Sequence, residues 1–339
     1  MKGRTVPSVP EMPNPSQWAA ARARQVLQRA IRGHLESLGY LEVETPLLVA
    51  APGMEPHIRA FEVPFVPETE VGRPRTLYLH TSPEYAMKRL LADGSGPVFQ
   101  ICKVFRNGEV SPTHNPEFTM LEFYRPGADY RAIMADLEST LGAAAVALGR
   151  PQLFDRRPFE RVTVREALRR ETGIDLHRAA DAVTLAEAAR TVGVRTEPGD
   201  GFEDVFFRIF LERVEPRLGR DQPCFLIDYP ASMAALARLS PDDPSVAERF
   251  ELYAQGLELA NGFSELTDAA EQRRRLEDER AFRIAHGRPA YPLDEPFLEA
   301  VGRMPPSGGV AIGLDRVLML LLGAGRIEDV LLFPAHAFV

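Results

Sequence analysis
An α+β architecture, an antiparallel β-sheet flanked by helices, is the fold class the sequence predicts, and three observations predict it. Two apolar, strand-like segments at 98–106 and 117–124 flank one polar turn. Strand signals return at 224–228 and across 247–265. A glycine-rich run at 308–313 then reads as a strand feeding a helix from Asp315. Strands spaced in this way pair through short connections while helical stretches gather between them, the pattern of an antiparallel sheet backed by helices.

Residues 1–15, rich in proline and polar groups, read as a flexible N-terminal segment, with one folded unit expected over 16–339. A helix is expected at 16–38, with Ser16 as cap, Gly39 as stop, and Val26, Ala30, Leu35 and Leu38 as its buried stripe. A strand at 41–45 ends at Pro46, and 52–76, dense in proline, glutamate and glycine, reads as irregular connection. Pro83 suits the first turn of a helix running to Leu91. In the strand 117–124, a period of two puts Phe118, Met120, Glu122 and Tyr124 on one face and Thr119, Leu121 and Phe123 on the other. One face therefore carries a ring, a carboxylate and a phenol, while the other is core. From Tyr130 to Leu218 the pattern is chiefly helical, with about 150–220 a candidate inserted subdomain. A helix at 267–285 precedes the glycine-rich strand.

With 339 residues the chain can bury one large core or two modest ones, and 45% hydrophobic beside 26% charged residues is ordinary for a soluble globular protein. No apolar run approaches the ~18 residues of a membrane span. The basic residues Lys2 and Arg4 have no apolar core behind them, which argues against a secretory signal. Cys102 and Cys224 show no metal or redox spacing and read as reduced thiols of a cytoplasmic protein. A net charge of −8 argues against nucleic acid as the main partner. The run Arg273-Arg274-Arg275, set among Glu271, Glu277, Asp278 and Glu279, reads as a solvated, salt-bridged helix face.

The chemistry gathers around Phe105-Arg106-Asn107-Gly108-Glu109 and His114-Asn115-Pro116-Glu117-Phe118. An arginine fork can hold a phosphate and a carboxylate together, and a neighbouring aromatic offers a face for a base to stack on. Arg316, at a helix start just behind Gly313, is placed for anions, and Gly308, Gly309 and Gly313 would let backbone approach a ligand closely. If Ala254 and Gln255 form a two-residue turn, Glu251 and Glu258 oppose each other across a hairpin. Opposed carboxylates repel, and magnesium, which prefers oxygen ligands and substrate phosphates, is the fitting remedy. Alternation puts Asn261, Phe263 and Glu265 on one face but gives Glu258 the wrong parity, so either a bulge near Gly262 or another direction for Glu258 is required.

Four blocks now stand in order: Gly39-Tyr40-Leu41-Glu42-Val43-Glu44-Thr45-Pro46-Leu47-Leu48, the arginine segment with its histidine and phenylalanine, Glu258 to Glu265, and Gly308-Gly309-Val310-Ala311-Ile312-Gly313-Leu314-Asp315-Arg316-Val317-Leu318-Met319. Together they resemble the catalytic core of class II aminoacyl-tRNA synthetases, in the wording of the lysyl branch, and the resemblance covers roughly Ser16 to the end. It implies a homodimer formed through the first block. It also implies ATP held by Arg106, Asn107, Glu109, His114, Asn115, Phe118, Gly313 and Arg316, with magnesium on Glu251 and Glu258. Arg106 and Arg316 are the implied catalytic pair. Arg106 would bridge the substrate carboxylate and the α-phosphate, and Phe118 would stack on adenine. Glu84 would meet the amine nearer the carboxyl, and Glu265 and Tyr124 the distal amine, with Asn261 and Phe263 beside them.

Three departures shape the expectation. The lysyl branch commonly has glutamate two residues after the arginine, where this chain has Gly108 and then Glu109. Ser82 stands where alanine is usual and Ala311 where glycine is usual. A single added group can alter selectivity by ~1–3 kcal/mol, which points to an amino acid with its amine displaced from that of α-lysine. Only about 15 residues precede the first helix, against the ~50 a domain needs, so no anticodon-binding domain is expected. These features resemble the lysyl-tRNA synthetase paralogues that modify elongation factor P. That resemblance implies activation of (R)-β-lysine with ATP and transfer to a lysine of that protein, with tRNA not expected. A truncated synthetase acting on tRNA and a non-catalytic binding paralogue remain as alternatives; the second sits poorly with two phosphate-binding arginines.

Overall fold
The computed structural model describes residues 12–70 and 72–337. Most of the expected flexible segment at 1–15 therefore lies outside the described residues. Helix α1 (Pro15–Ser37) starts one residue earlier than expected, because Asn14 rather than Ser16 caps it: the Asn14 side chain accepts from the Gln17 amide and Gln17 returns a bond to the Asn14 amide. Its buried stripe is Ala20, Leu27, Ile31 and Leu35, whereas Val26 and Leu38 are exposed. The stripe steps by four and seven from Ala20, a phase that the expected stripe met at Leu35 but not at Val26 or Leu38.

Strands β1 (Leu41–Glu42), β2 (Leu48–Val49), β3 (Phe61–Phe65) and β4 (Arg75–Leu79) follow, then α2 (Glu84–Ala92). The stretch 52–76 is thus not all connection. β3 alternates Phe61, Val63 and Phe65, and its Pro64 is tolerated because β3 is an edge of the small sheet β2-β4-β3. Next come β5 (Val98–Phe105), β6 (Glu117–Pro126) and α3 (Tyr130–Ala147). The region expected to be chiefly helical holds one strand, β7 (Glu160–Thr163), followed by α4 (Val164–Thr172), α5 (Ala182–Thr191) and α6 (Phe202–Ile209). The chain closes with β8 (Cys224–Pro230), β9 (Val246–Ala254), β10 (Leu257–Ser264), α7 (Ala269–Ala285), α8 (Glu295–Val301), β11 (Ser307–Gly313) and α9 (Leu314–Leu322).

The large sheet has the order β1-β5-β6-β11-β10-β9-β8-β7. It is antiparallel through its centre and parallel only at its two outermost pairs, β1 with β5 and β7 with β8. β11 lies between β10, the strand before it, and β6, far from it in sequence, and this insertion brings the arginine segment beside the glycine-rich block.

One face of the sheet packs on α1, α3 and α9 through Leu121, Phe123, Phe250, Val310 and Ile312. A second apolar cluster joins α4, α5 and α6 to β8, which gives Phe225 and Ile227 to the first cluster and Cys224 and Leu226 to the second. The opposite face of the central strands is left to the polar site.

Candidate active site
The faces of β6 fall as its alternation predicts. Phe118, Met120, Glu122 and Tyr124 line a cavity of about 240 Å³, while Leu121 and Phe123 join the core. Of the other residues expected to act, Ser82, Glu84, Arg106, Glu109, His114, Asn115, Glu258, Asn261, Phe263, Ala311, Gly313 and Arg316 also line it. Asn107, Glu251 and Glu265 do not; Glu265 lies behind the lining, on Lys88. Asn107 uses its backbone amide to bond the Arg59 carbonyl at 2.7 Å. Asn115 is spoken for: its side chain donates to the Glu117 carbonyl at 2.6 Å and accepts from the Ala335 amide at 2.9 Å.

At one end of the cavity Arg106 lies 5.2 Å from the centre of the Phe118 ring, its Nε buried without a partner. Glu109 stands 3.9 Å away, delivered by a turn in which Gly108 takes φ 90°. That left-handed conformation suits glycine and accommodates the displaced glutamate. His114 and Arg316 meet at 2.6 Å, and Arg316 also donates to the Glu258 carbonyl at 2.9 Å. Burial, then the charges of Arg316 and Arg106, depress the His114 pKa to about 4, so the ring is neutral at ordinary pH.

The hairpin of β9 and β10 differs from expectation by one residue. Its turn is Gln255-Gly256, both at positive φ, the geometry in which glycine excels. Glu258 therefore pairs with Tyr253, and Asn261 with Glu251. A bulge lies between Glu258 and Ala260, not near Gly262. Because cross-strand partners share a face, this bulge puts Glu258 on the side of Glu251 and Asn261. Glu251 accepts from Arg249 and from Tyr253, each at 2.6 Å. Burial and then the Glu251 charge push the Glu258 pKa up. Glu215, which its sequence neighbours gave no reason to single out, feels both: burial, Glu258 and Glu251 raise it to about 7.

At the other end, Glu122 accepts from Ser82 at 2.5 Å and from Tyr124 at 2.9 Å. Burial and then Glu84 push its pKa up to about 8. The fully buried Lys88, also missed, reaches Glu84 and Glu265 at 2.6 Å each. Burial works against the Lys88 charge, but Glu265 and Glu84 more than offset it and its pKa is raised. Burial pushes Glu265 up, Lys88 pulls it back and Glu84 adds to the rise. A signal for Lys88 did exist: it falls one turn after Glu84, between the core residues Met87 and Leu91.

The glycines divide by role. Gly308 packs on Ile133 and the Asp129 carbonyl, and Gly309 packs under Tyr124 and Glu265 Oε1. Gly308 lies outside the cavity lining, whereas Gly309 lines it, as the sequence suggested. Gly313 alone of the three is open: a methyl group in its place would meet only the Arg316 side chain, at 3.8 Å.

A sheet face with two arginines and a stacking ring at one end of a cavity and a group of carboxylates at the other is the arrangement of an acid-activating enzyme. A family model for class II tRNA synthetases of the D, K and N type matches residues 9–337, and the chain belongs to that family of ATP-dependent ligases. Among curated relatives, the elongation factor P–(R)-beta-lysine ligase of Salmonella arizonae is 44% identical over 315 residues, 91% of this chain and 93% of the relative. The protein of the same name from Salmonella paratyphi B is 43% identical over the same extent.

Proposed function
We propose that this chain activates (R)-β-lysine with ATP as the aminoacyl-adenylate and transfers it to the ε-amine of a lysine on elongation factor P. The observation that carries the reading is the polarity of the cavity: arginines at one end, and at the other a buried group of carboxylates suited to a substrate's ammonium groups. The names and coverage of the Salmonella relatives support the same reading.

In the first step a carboxylate oxygen of the amino acid attacks the α-phosphorus of ATP in line, and pyrophosphate leaves. Arg106 offsets the charge that develops there, Phe118 holds the base, and Arg316 with His114 holds the outer phosphates. In the second step the neutral acceptor amine attacks the adenylate carbonyl, the amide forms, AMP leaves and a proton is released. Positioning and electrostatics carry both steps.

Magnesium fits the donor set. Glu251 and Glu258 share a face, the Glu251 charge adds to burial in raising the Glu258 pKa, and Glu258 faces the cavity; Glu251 would have to exchange Arg249 or Tyr253 for the ion. Among the described residues no group of three or more His, Cys, Asp or Glu is arranged to hold a metal. Substrate phosphates would therefore complete the shell, as magnesium prefers. When bound, the ion supplies charge neutralisation to the phosphates.

The exposed Leu41, Leu47 and Leu48 of the first block support a homodimer through that surface. No described helix is long and apolar enough to cross a membrane; a cytoplasmic site of action belongs to the same proposal. The test is incubation with ATP and labelled α-lysine or either β-lysine enantiomer, offering elongation factor P and tRNA separately. Label on elongation factor P from (R)-β-lysine is expected. Label on tRNA alone would refute the reading, and absence of ATP–pyrophosphate exchange with every diamino acid would favour a binding paralogue.

A further inference from the structure
One buried carboxylate in the cavity has no place in the mechanism above. Glu55 lies in the stretch read from sequence as connection, yet it lines the cavity beside Arg106 and Glu84. It also borders a second cavity of about 510 Å³, which shares Ser82 and Glu84 with the first. Its Oε2 is buried and has no hydrogen-bond partner, a costly state for a carboxylate unless a ligand supplies the donor.

The loop that carries Glu55 is held from two sides. Arg283, only 1% exposed, donates to the Glu55 carbonyl at 2.7 Å and to the Ile58 carbonyl at 2.8 Å. The Asn107 amide bonds the Arg59 carbonyl, tying the same loop to the turn behind Arg106. A side chain at Gly53 would run into the Glu55 carboxylate, so the loop keeps room for it. Burial and then the Glu84 charge push the Glu55 pKa up, while Arg106 and Arg283 oppose the rise. Glu55 and Glu84 thus repel across a common space that adjoins the arginine.

The other carboxylates of this end have internal cations or donors, though Glu265 Oε1, which lies outside the cavity lining, is also without a hydrogen-bond partner. Lys88 is shared by Glu84 and Glu265, and Glu122 accepts from Ser82 and Tyr124. Arg106 marks where the substrate carboxylate lies under the proposed function, so an ammonium close to that carboxylate falls next to Glu55. We propose that Glu55, together with Glu84, binds the amino group nearer the carboxylate of the diamino-acid substrate. This rests on the proposed function and adds a carboxylate to its substrate site.

The experiment compares the full chain with Glu55→Gln in ATP–pyrophosphate exchange. It uses (R)-β-lysine and 6-aminohexanoic acid, which keeps the carboxylate and distal amine but lacks the nearer amine. For the second acid the readout is exchange or, where turnover is slow, its inhibition constant against β-lysine. Loss of a charged hydrogen bond should raise the KM for β-lysine about 10- to 100-fold. The KM for ATP and the constant for 6-aminohexanoic acid should stay within about twofold of wild type, and Glu55→Asp should recover part of the β-lysine loss. Equal losses with both acids would assign Glu55 a structural role and overturn the proposal. An unchanged β-lysine KM with lost transfer to elongation factor P would place Glu55 on the acceptor's path and also overturn it. A wild-type chain that exchanges with no diamino acid would instead bring down the function on which the proposal rests.

Discussion

At the acidic end of the cavity, Glu84 and Glu265 close on a buried Lys88 at 2.6 Å, whereas at the basic end Arg106 and Arg316 have carboxylates no nearer than 3.9 and 3.6 Å among the described residues. The acidic end is shut off from solvent, with Lys88 1% and Glu265 2% exposed. The basic end is more open, with the Arg106 and Arg316 side chains 24% and 18% exposed. The contrast separates two ways of arranging charge. Carboxylates that must discriminate one ammonium pattern from another are fixed in advance by an internal cation. Arginines that must receive a polyanion are kept clear of close carboxylates, Arg316 being held by the neutral His114 ring and the Glu258 carbonyl, so that no tight ion pair must be broken when it arrives.

Removing a group from each end tests that contrast. Arg106→Ala should lower adenylate formation by about 10³-fold or more, as expected for an arginine that offsets charge at a reacting phosphate; near-normal ATP–pyrophosphate exchange would take Arg106 out of the site. Lys88→Met should leave two buried carboxylates uncompensated and cost ~3–5 kcal/mol of stability, measured by denaturant unfolding. A loss under about 1 kcal/mol would mean that the acidic end relaxes freely and is not fixed in advance.

The basic end also carries a pH signature. The His114 pKa of about 4 lies below the ordinary 6.5, so the unfolded chain takes up the proton first. Stability tied to His114 should be intact above pH 6.5 and decline as pH falls from there to about 4. His114→Gln should lose less stability than wild type over that window, and parallel curves would contradict it. The smallest effect is expected from Ala311→Gly. It should shift relative kcat/KM toward α-lysine by no more than ~1–3 kcal/mol, and an unchanged ratio would count against Ala311 as a selectivity residue.

Much of this was legible in the chain, for definite reasons. The alternation of Phe118 to Tyr124 fixed which face met the cavity, because period two survives in a strand buried on one side. Arg106, Phe118 and Arg316 were found because their neighbours carried a recognisable order. β3 was hidden by Pro64, and β7 by its four residues among helices. Lys88 and Glu55 escaped because a charged residue reads as surface until tertiary packing encloses it. In the arginine run, Arg275 escaped similarly: it reaches the carbonyls of Ala235 and Ala237 at 2.8 Å while Arg273 and Arg274 form outer ion pairs. Propensity gave the hairpin but not its tip, since Gly256 rather than Gln255 takes the second turn position.

The irregularity between Glu258 and Ala260 restricts how this gene can drift. An even ladder at the present length would swing the Glu258 carboxylate from the cavity side to the core side in a single step. Substitutions that let β10 straighten without losing a residue are thus barred from its middle.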